Sequence, residues 1–160
     1  MSYIKHVKSI RGMDVQWLTP YIFPDYKDTS GSVVSNKRLK RAKEVVLLIL
    51  LEEQEKIKNA YKTLAKRKYK DKKISIKYDF NGCIDRVYNT VLGKKNDDLH
   101  GESDGYKIWI SKNKLNDSYL IGTILHESLH YAATFNNKEI CEKDEHYVMA
   151  LCIANVKNAP

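Results

Sequence analysis

His126-Glu127-Ser128-Leu129-His130 decides how this chain reads, because its spacing puts two imidazoles and a carboxylate on one side of a helix. Residues four apart are neighbours on a helix, so both rings can turn a nitrogen toward one metal ion. Glu127 lies about 100° further round, within reach of a metal-bound water without taking a coordination position. Two neutral nitrogen ligands, a nearby general base, and space for a third ligand and a water are what a hydrolytic zinc site requires.

The flanking residues extend this helix from about Asn116 or Asp117 to Phe135. On a helical wheel Thr123, Glu127, His130, Ala133 and Thr134 share the side of His126. Leu120, Ile121, Ile124, Leu125, Leu129, Ala132 and Phe135 occupy the other. A surface helix is polar on one face, whereas this one is apolar except along the histidine stripe. The pattern predicts a buried central helix whose polar stripe is turned into a cleft.

Working outward, Tyr106-Lys-Ile-Trp-Ile-Ser111 alternates as a strand. Its edge could hold an extended peptide by backbone pairing, with Ser111 near the cleft. Upstream of it, the Gly-bearing stretch from Gly93 to Gly105 is polar. Between Asn36 and Lys68, apolar residues recur at three- and four-residue steps and predict one long helix, capped by Ser35 or Asn36. Lys73 to Phe80 alternates as a strand ended by Asn81-Gly82. After the Asn136-Asn137-Lys138 turn, a last helix is predicted over about Glu142 to Asn155. Residues 1–35, with Pro20, Pro24 and Asp28-Thr-Ser-Gly-Ser32, read as an irregular extension. Residues 36–160 form one α+β domain.

The chain has 160 residues, 42% of them apolar, enough for one sizeable core. The N-terminal Met1-Ser-Tyr-Ile-Lys-His lacks the apolar run of a signal peptide, and Val45 to Leu51 is far too short to span a bilayer. No membrane partner is expected. Cys83, Cys141 and Cys152 are odd in number and lack CxxC spacing, so free thiols in an intracellular setting are expected. Net charge is +8, unevenly spread: between Asn36 and Lys73, 14 Lys or Arg face five acids. Lys37, Arg38, Lys40, Arg41, Lys66, Arg67 and Lys68 are the candidate residues for a polyanion partner, nucleic acid first. The same clusters also suit a solvated helix face.

A catalytic zinc site needs a third protein ligand. Glu142, Glu145 and His146 lie near the start of the last helix, and spacing alone does not separate them; His100 is a fourth option on the polar loop. The stretches Gly105-Tyr-Lys-Ile-Trp-Ile-Ser-Lys-Asn-Lys-Leu115 and Thr123-Ile-Leu-His-Glu-Ser-Leu-His-Tyr-Ala132 resemble the core of the SprT-like, or Spartan, zinc metalloproteases. That family pairs a G-x-x-I-x-L-S strand with a T-L-L-H-E-x-x-H-A helix. Thr134-Phe-Asn-Asn137 is similar to its link. A third histidine follows in the family at a spacing close to that from His130 to His146. The resemblance covers about residues 105–155. It implies a minimal zincin-like fold, Zn2+ held by His126, His130 and His146, and Glu127 as general base. It also implies peptide-bond hydrolysis in protein substrates, among them proteins bound or crosslinked to DNA. The family's third histidine sits in a Gly-His-Gly-Pro-like turn, whereas Asp144-Glu145-His146-Tyr147-Val148 reads as helix. The sequence therefore keeps Glu145 or Glu142 open as ligand, as in the short zincins of the ImmA/IrrE group. Tyr131, Tyr147 and Tyr106 are the candidate donors to the reaction's oxyanion. A second reading makes the chain a nucleic-acid-binding or interaction protein whose HExxH site is structural or inactive.

Overall fold

Ser35 sets where the first helix begins: its hydroxyl accepts the Arg38 backbone N–H at 3.2 Å, and α1 runs over Asn36–Glu52. The computed structural model describes residues 32–70, 72–93, 100–115 and 117–157, without the side chains of 117–119, 150 and 152–157. Residues 32–35, expected to be irregular, belong to the fold. Ser32–Val33 forms β1, paired antiparallel with β6 (Lys114–Leu115), and Val34 is buried. The remainder of the expected extension, residues 1–31, lies outside the described residues.

The single helix expected over 36–68 is two. α1 ends at Glu52 with Glu53 as its C-cap, and α2 runs over Gln54–Tyr69. Between Leu50 and Ile57 no side chain is buried, so nothing holds that turn against the core. The Gln54 amide donates instead to the Leu51 carbonyl at the kink. The break sends the halves to different neighbours. α1, buried at every position from Val45 to Leu50, packs against the histidine-bearing helix α4 (Asp117–Leu129). α2 packs through Ile57, Ala60, Tyr61, Leu64 and Ala65 and lies against the last helix, α5 (Glu142–Lys157).

The strand expected over 73–80 is β2, Ile76–Tyr78, and Asn81-Gly82 is not a strand-ending turn. Asp79 caps a helix, α3 (Phe80–Tyr88), by accepting the Gly82 N–H at 3.0 Å. A Cβ at Gly82 would lie 2.4 Å from that capping carboxylate, which is why glycine stands there. Asn-Gly is a common turn signal, and here the Asp79 cap overrides it.

β5 (Ile108–Ile110) buries Ile108 and Ile110 beneath α4. It is flanked by β3 (Val91–Leu92), parallel, and β4 (Gly101–Ser103), antiparallel. Both of its edges are taken, so β5 cannot offer one to a peptide. Among the described residues the strand bordering α4 with a free edge is β4, from a stretch that read only as polar. Ser111 is buried, its N–H bound to the His100 carbonyl, and does not line the cleft.

α4 ends at Leu129, six residues before the expected end. Tyr131 takes φ 65°, and Ala133–Phe135 becomes β7, paired with β2 and with β8 (Lys138–Glu139). The alternation of Ala133 and Phe135, both buried, serves the strand. Asn136 and Asn137, at φ 50° and 63°, make the two-residue hairpin turn that needs positive φ at both positions. The element order gives the expected α+β architecture, with five helices around small sheets among the described residues. No described helix is long and apolar enough to cross a membrane.

Candidate metal centre

α4 carries His126 and Glu127, the turn after it carries His130, and the first turns of α5 carry Glu145 and His146. The shortened helix still brings the histidines together. His126 Nε2 and His130 Nε2 are 3.3 Å apart. That is close to the edge of a tetrahedron built on zinc–nitrogen bonds of about 2.0–2.1 Å. His146 completes the set: ligand atoms of His126, His130 and His146 lie within 4.8 Å of one another. The ring centroids are separated by 5.0, 5.1 and 5.2 Å, a nearly equilateral triangle. Three imidazoles meeting in an open cleft of about 570 Å³ could hold a metal ion.

The competing ligands have other positions. Glu145 is buried and bridges two donors: Oε1 lies 3.1 Å from His130 Nδ1, and Oε2 accepts the Tyr131 N–H at 2.7 Å. A carboxylate on Nδ1 fixes the tautomer and frees Nε2 for a metal. The other bond, donated by the Tyr131 N–H to Oε2, ties down Tyr131 in its left-handed conformation. Glu142 is 3.7 Å from His146 Nε2 with a side chain 76% exposed. His100 is exposed and stands outside the histidine set.

Burial, and then the proximity of His130 and His146, lower His126 to about 4, so it is a neutral ligand at physiological pH. Burial also acts to lower His130, but the Glu145 hydrogen bond and the neighbouring carboxylates hold it above the ordinary imidazole value. Glu127 lies beside the set, 4.0 Å from His126 Nε2. Its carboxyl is raised chiefly by burial, against the lowering pull of His130 and with Glu102 and Glu142 adding to the rise. Of the three candidate tyrosines only Tyr131 lines the cleft. Tyr106 is 80% exposed, and Tyr147 lies under the Arg67 guanidinium, 4.7 Å from its ring centre.

The basic candidates separate into two groups at the outer ends of the kinked α1–α2 pair. Lys37, Lys40 and Arg41 are exposed on the first turns of α1. Arg38 is engaged by the carbonyls of Ser32, Val33 and Leu115, tying the β1–β6 ribbon to the helix. In the last turn of α2 Lys66 is exposed, Arg67 covers Tyr147 and Lys68 pairs with Asp144. The last two fasten α2 to the helix that carries His146.

Two residues were not visible in the sequence pattern. Glu102 on β4 lines the cleft. Arg86 on α3 is 3% exposed: it donates to the Ser128 carbonyl at 2.9 and 3.3 Å, with Gly105 O and Cys83 Sγ at 3.4 Å. Ser128 O is one of the last four carbonyls of α4, so the guanidinium caps the negative end of the histidine helix. Arg86→Met keeps the volume but leaves that carbonyl unsatisfied, a loss of about 2–3 kcal/mol. Thermal unfolding should register this as a fall in Tm of roughly 5–10 °C. An unchanged Tm would remove Arg86 from the scaffold of the site.

No family model matches this chain, and no curated protein or solved structure matches it either.

Proposed function

We propose that the chain is a zinc-dependent metallopeptidase of the SprT-like kind, acting on peptide bonds of protein substrates. The observation that carries this reading is the near-equilateral triangle of His126, His130 and His146 with the Glu127 carboxylate beside it. Zinc bound there would supply a water of lowered pKa and polarise the scissile carbonyl. Glu127 accepts the proton of the attacking water and passes it to the leaving amine, a role its raised carboxyl suits. Glu145 orients His130 and fixes the backbone at Tyr131. The Tyr131 side chain, in the same cleft, is the hydroxyl donor available to the developing oxyanion. The free edge of β4, at the mouth of the cleft, suits backbone pairing with an extended peptide.

A DNA partner is supported by Lys37, Lys40 and Arg41. They crowd the start of α1, where cations oppose the helix dipole and the first turn holds no acid. Their placement is unhelpful to the helix and suited to phosphate. An intracellular setting is supported by the unpaired Cys83 and Cys141.

The test is proteolysis of an unfolded protein, with and without single-stranded DNA, on a sample of measured zinc content. Cleavage abolished by a chelator and restored by zinc is expected. DNA binding should weaken steeply with salt. Stoichiometric zinc without turnover on any protein would overturn the peptidase reading in favour of a structural site.

A further inference from the structure

Glu102 is a carboxylate without a task in the mechanism above. It sits in the middle of β4, the strand with a free edge along α4, and it lines the cleft that holds the three histidines. β4 lies hard against that helix: a Cβ on the neighbouring Gly101 would be 2.7 Å from Thr123 Cγ2 and 3.4 Å from Glu127 Cγ. One oxygen of Glu102, Oε2, is buried and has no hydrogen-bond partner among the described residues. A carboxylate oxygen withdrawn from water without a donor is costly, and native structures rarely keep one without a use.

Among the described residues, no group accounts for it. Glu102 is outside the set of residues that could jointly hold a metal. The residues lining the cleft include no lysine or arginine, although the chain carries a net charge of +8. The other carboxylates of the cleft are accounted for: Glu127 beside the histidines, Glu145 on His130, Glu142 near His146, and Glu139 exposed on β8. No described residue supplies the donor, and a position on the outer strand is where an extended peptide would bring one.

We propose that Glu102 is the specificity determinant of the cleft, accepting a charged hydrogen bond from a cationic group of the substrate and so selecting basic peptides. Two groups share that chemistry, a peptide's α-ammonium and the side chain of lysine or arginine. The inference rests on the cleft being a peptide site, as in the metallopeptidase reading. It also accounts for opposite signs on one molecule: exposed lysines and arginines face solvent, while the cleft is carboxylate-lined and excludes a phosphate backbone. Nucleic acid would be held outside and a basic protein segment admitted.

The experiment uses the zinc-loaded chain and short fluorescent peptides matched except for one lysine, norleucine or glutamate, each with a free and an acetylated N-terminus. Binding is read by anisotropy and cleavage by chromatography. Wild type should bind the lysine peptide about ten- to a hundredfold more tightly than the norleucine peptide, the scale of a charge-assisted hydrogen bond. Glu102→Gln should erase that ratio at unchanged zinc content. Sensitivity to acetylation alone would make the α-ammonium the recognised group; sensitivity to the side chain alone would make it lysine or arginine. Binding by wild type that is indifferent both to lysine against norleucine and to a free against an acetylated N-terminus, a result independent of how the variant folds, overturns the proposal. So does an intact preference in folded Glu102→Gln. Selective binding without any cleavage would instead overturn the peptidase reading and leave Glu102 as the determinant of a peptide-binding cleft.

Discussion

Glu127→Gln should lower kcat/KM for a protein substrate by roughly a hundred- to ten-thousandfold while zinc content stays stoichiometric. The amide has the shape of the carboxylate but cannot take a proton from water. Glu127 is not among the three groups whose ligand atoms converge, so its loss leaves the nitrogen set intact. Its carboxyl is raised, first by burial and then by Glu102 and Glu142, although His130 pulls the other way. A base whose pKa is moved toward the working pH is a stronger proton acceptor. The measurement is steady-state cleavage alongside metal analysis on the same sample. Wild-type turnover by the variant would sink the general-base assignment. Loss of zinc together with activity would place Glu127 in the coordination set instead.

How much of this was legible in the sequence follows from the range of each signal. The i, i+4 spacing of His126 and His130 is local, and it survives even though α4 stops before His130. The apolar face of α4 was also readable, and Leu120, Ile121, Ile124, Leu125 and Leu129 are buried as the wheel predicts. The helix end was not. Ala132, Ala133 and Phe135 fit a helical wheel as well as a strand, and the choice is made by partners far away in sequence: β2 on one side of β7 and the Asn-Asn hairpin on the other. The kink at Glu53 is of the same kind, since Leu50 and Ile57 keep helical phase across two turns and only packing separates α1 from α2. β4 and Glu102 had no local signal, because three residues that border a helix show no period. Arg86 was equally silent: its partner is a carbonyl 42 residues away. For the third ligand, spacing left three candidates, and the fold separates them by giving Glu145 two donors of its own.

That separation has the second large consequence. His146→Ala removes one nitrogen of three, whereas Glu145→Gln leaves all three nitrogens and disturbs the orientation of His130 and the backbone at Tyr131. Apparent binding of zinc by four-ligand structural sites amounts to about 10–16 kcal/mol, so one ligand corresponds to roughly 3–4 kcal/mol, or a few hundred- to a thousandfold in Kd. Losing an orienting carboxylate costs roughly ten- to a hundredfold. His146→Ala should therefore weaken zinc binding more than Glu145→Gln does, measured by competition with a chromogenic chelator at one pH. The difference is readable even if both variants lose some stability, because Lys68–Asp144 and Arg67–Tyr147 hold α5 to α2 without either side chain. Glu142→Gln gives the baseline: its exposed carboxylate should leave Kd nearly unchanged. The reverse order, with Glu145→Gln losing zinc and His146→Ala keeping it, would make Glu145 the ligand. The triangle of histidines would then be a consequence of packing α5 against α4, with His146 a bystander at the rim of the cleft.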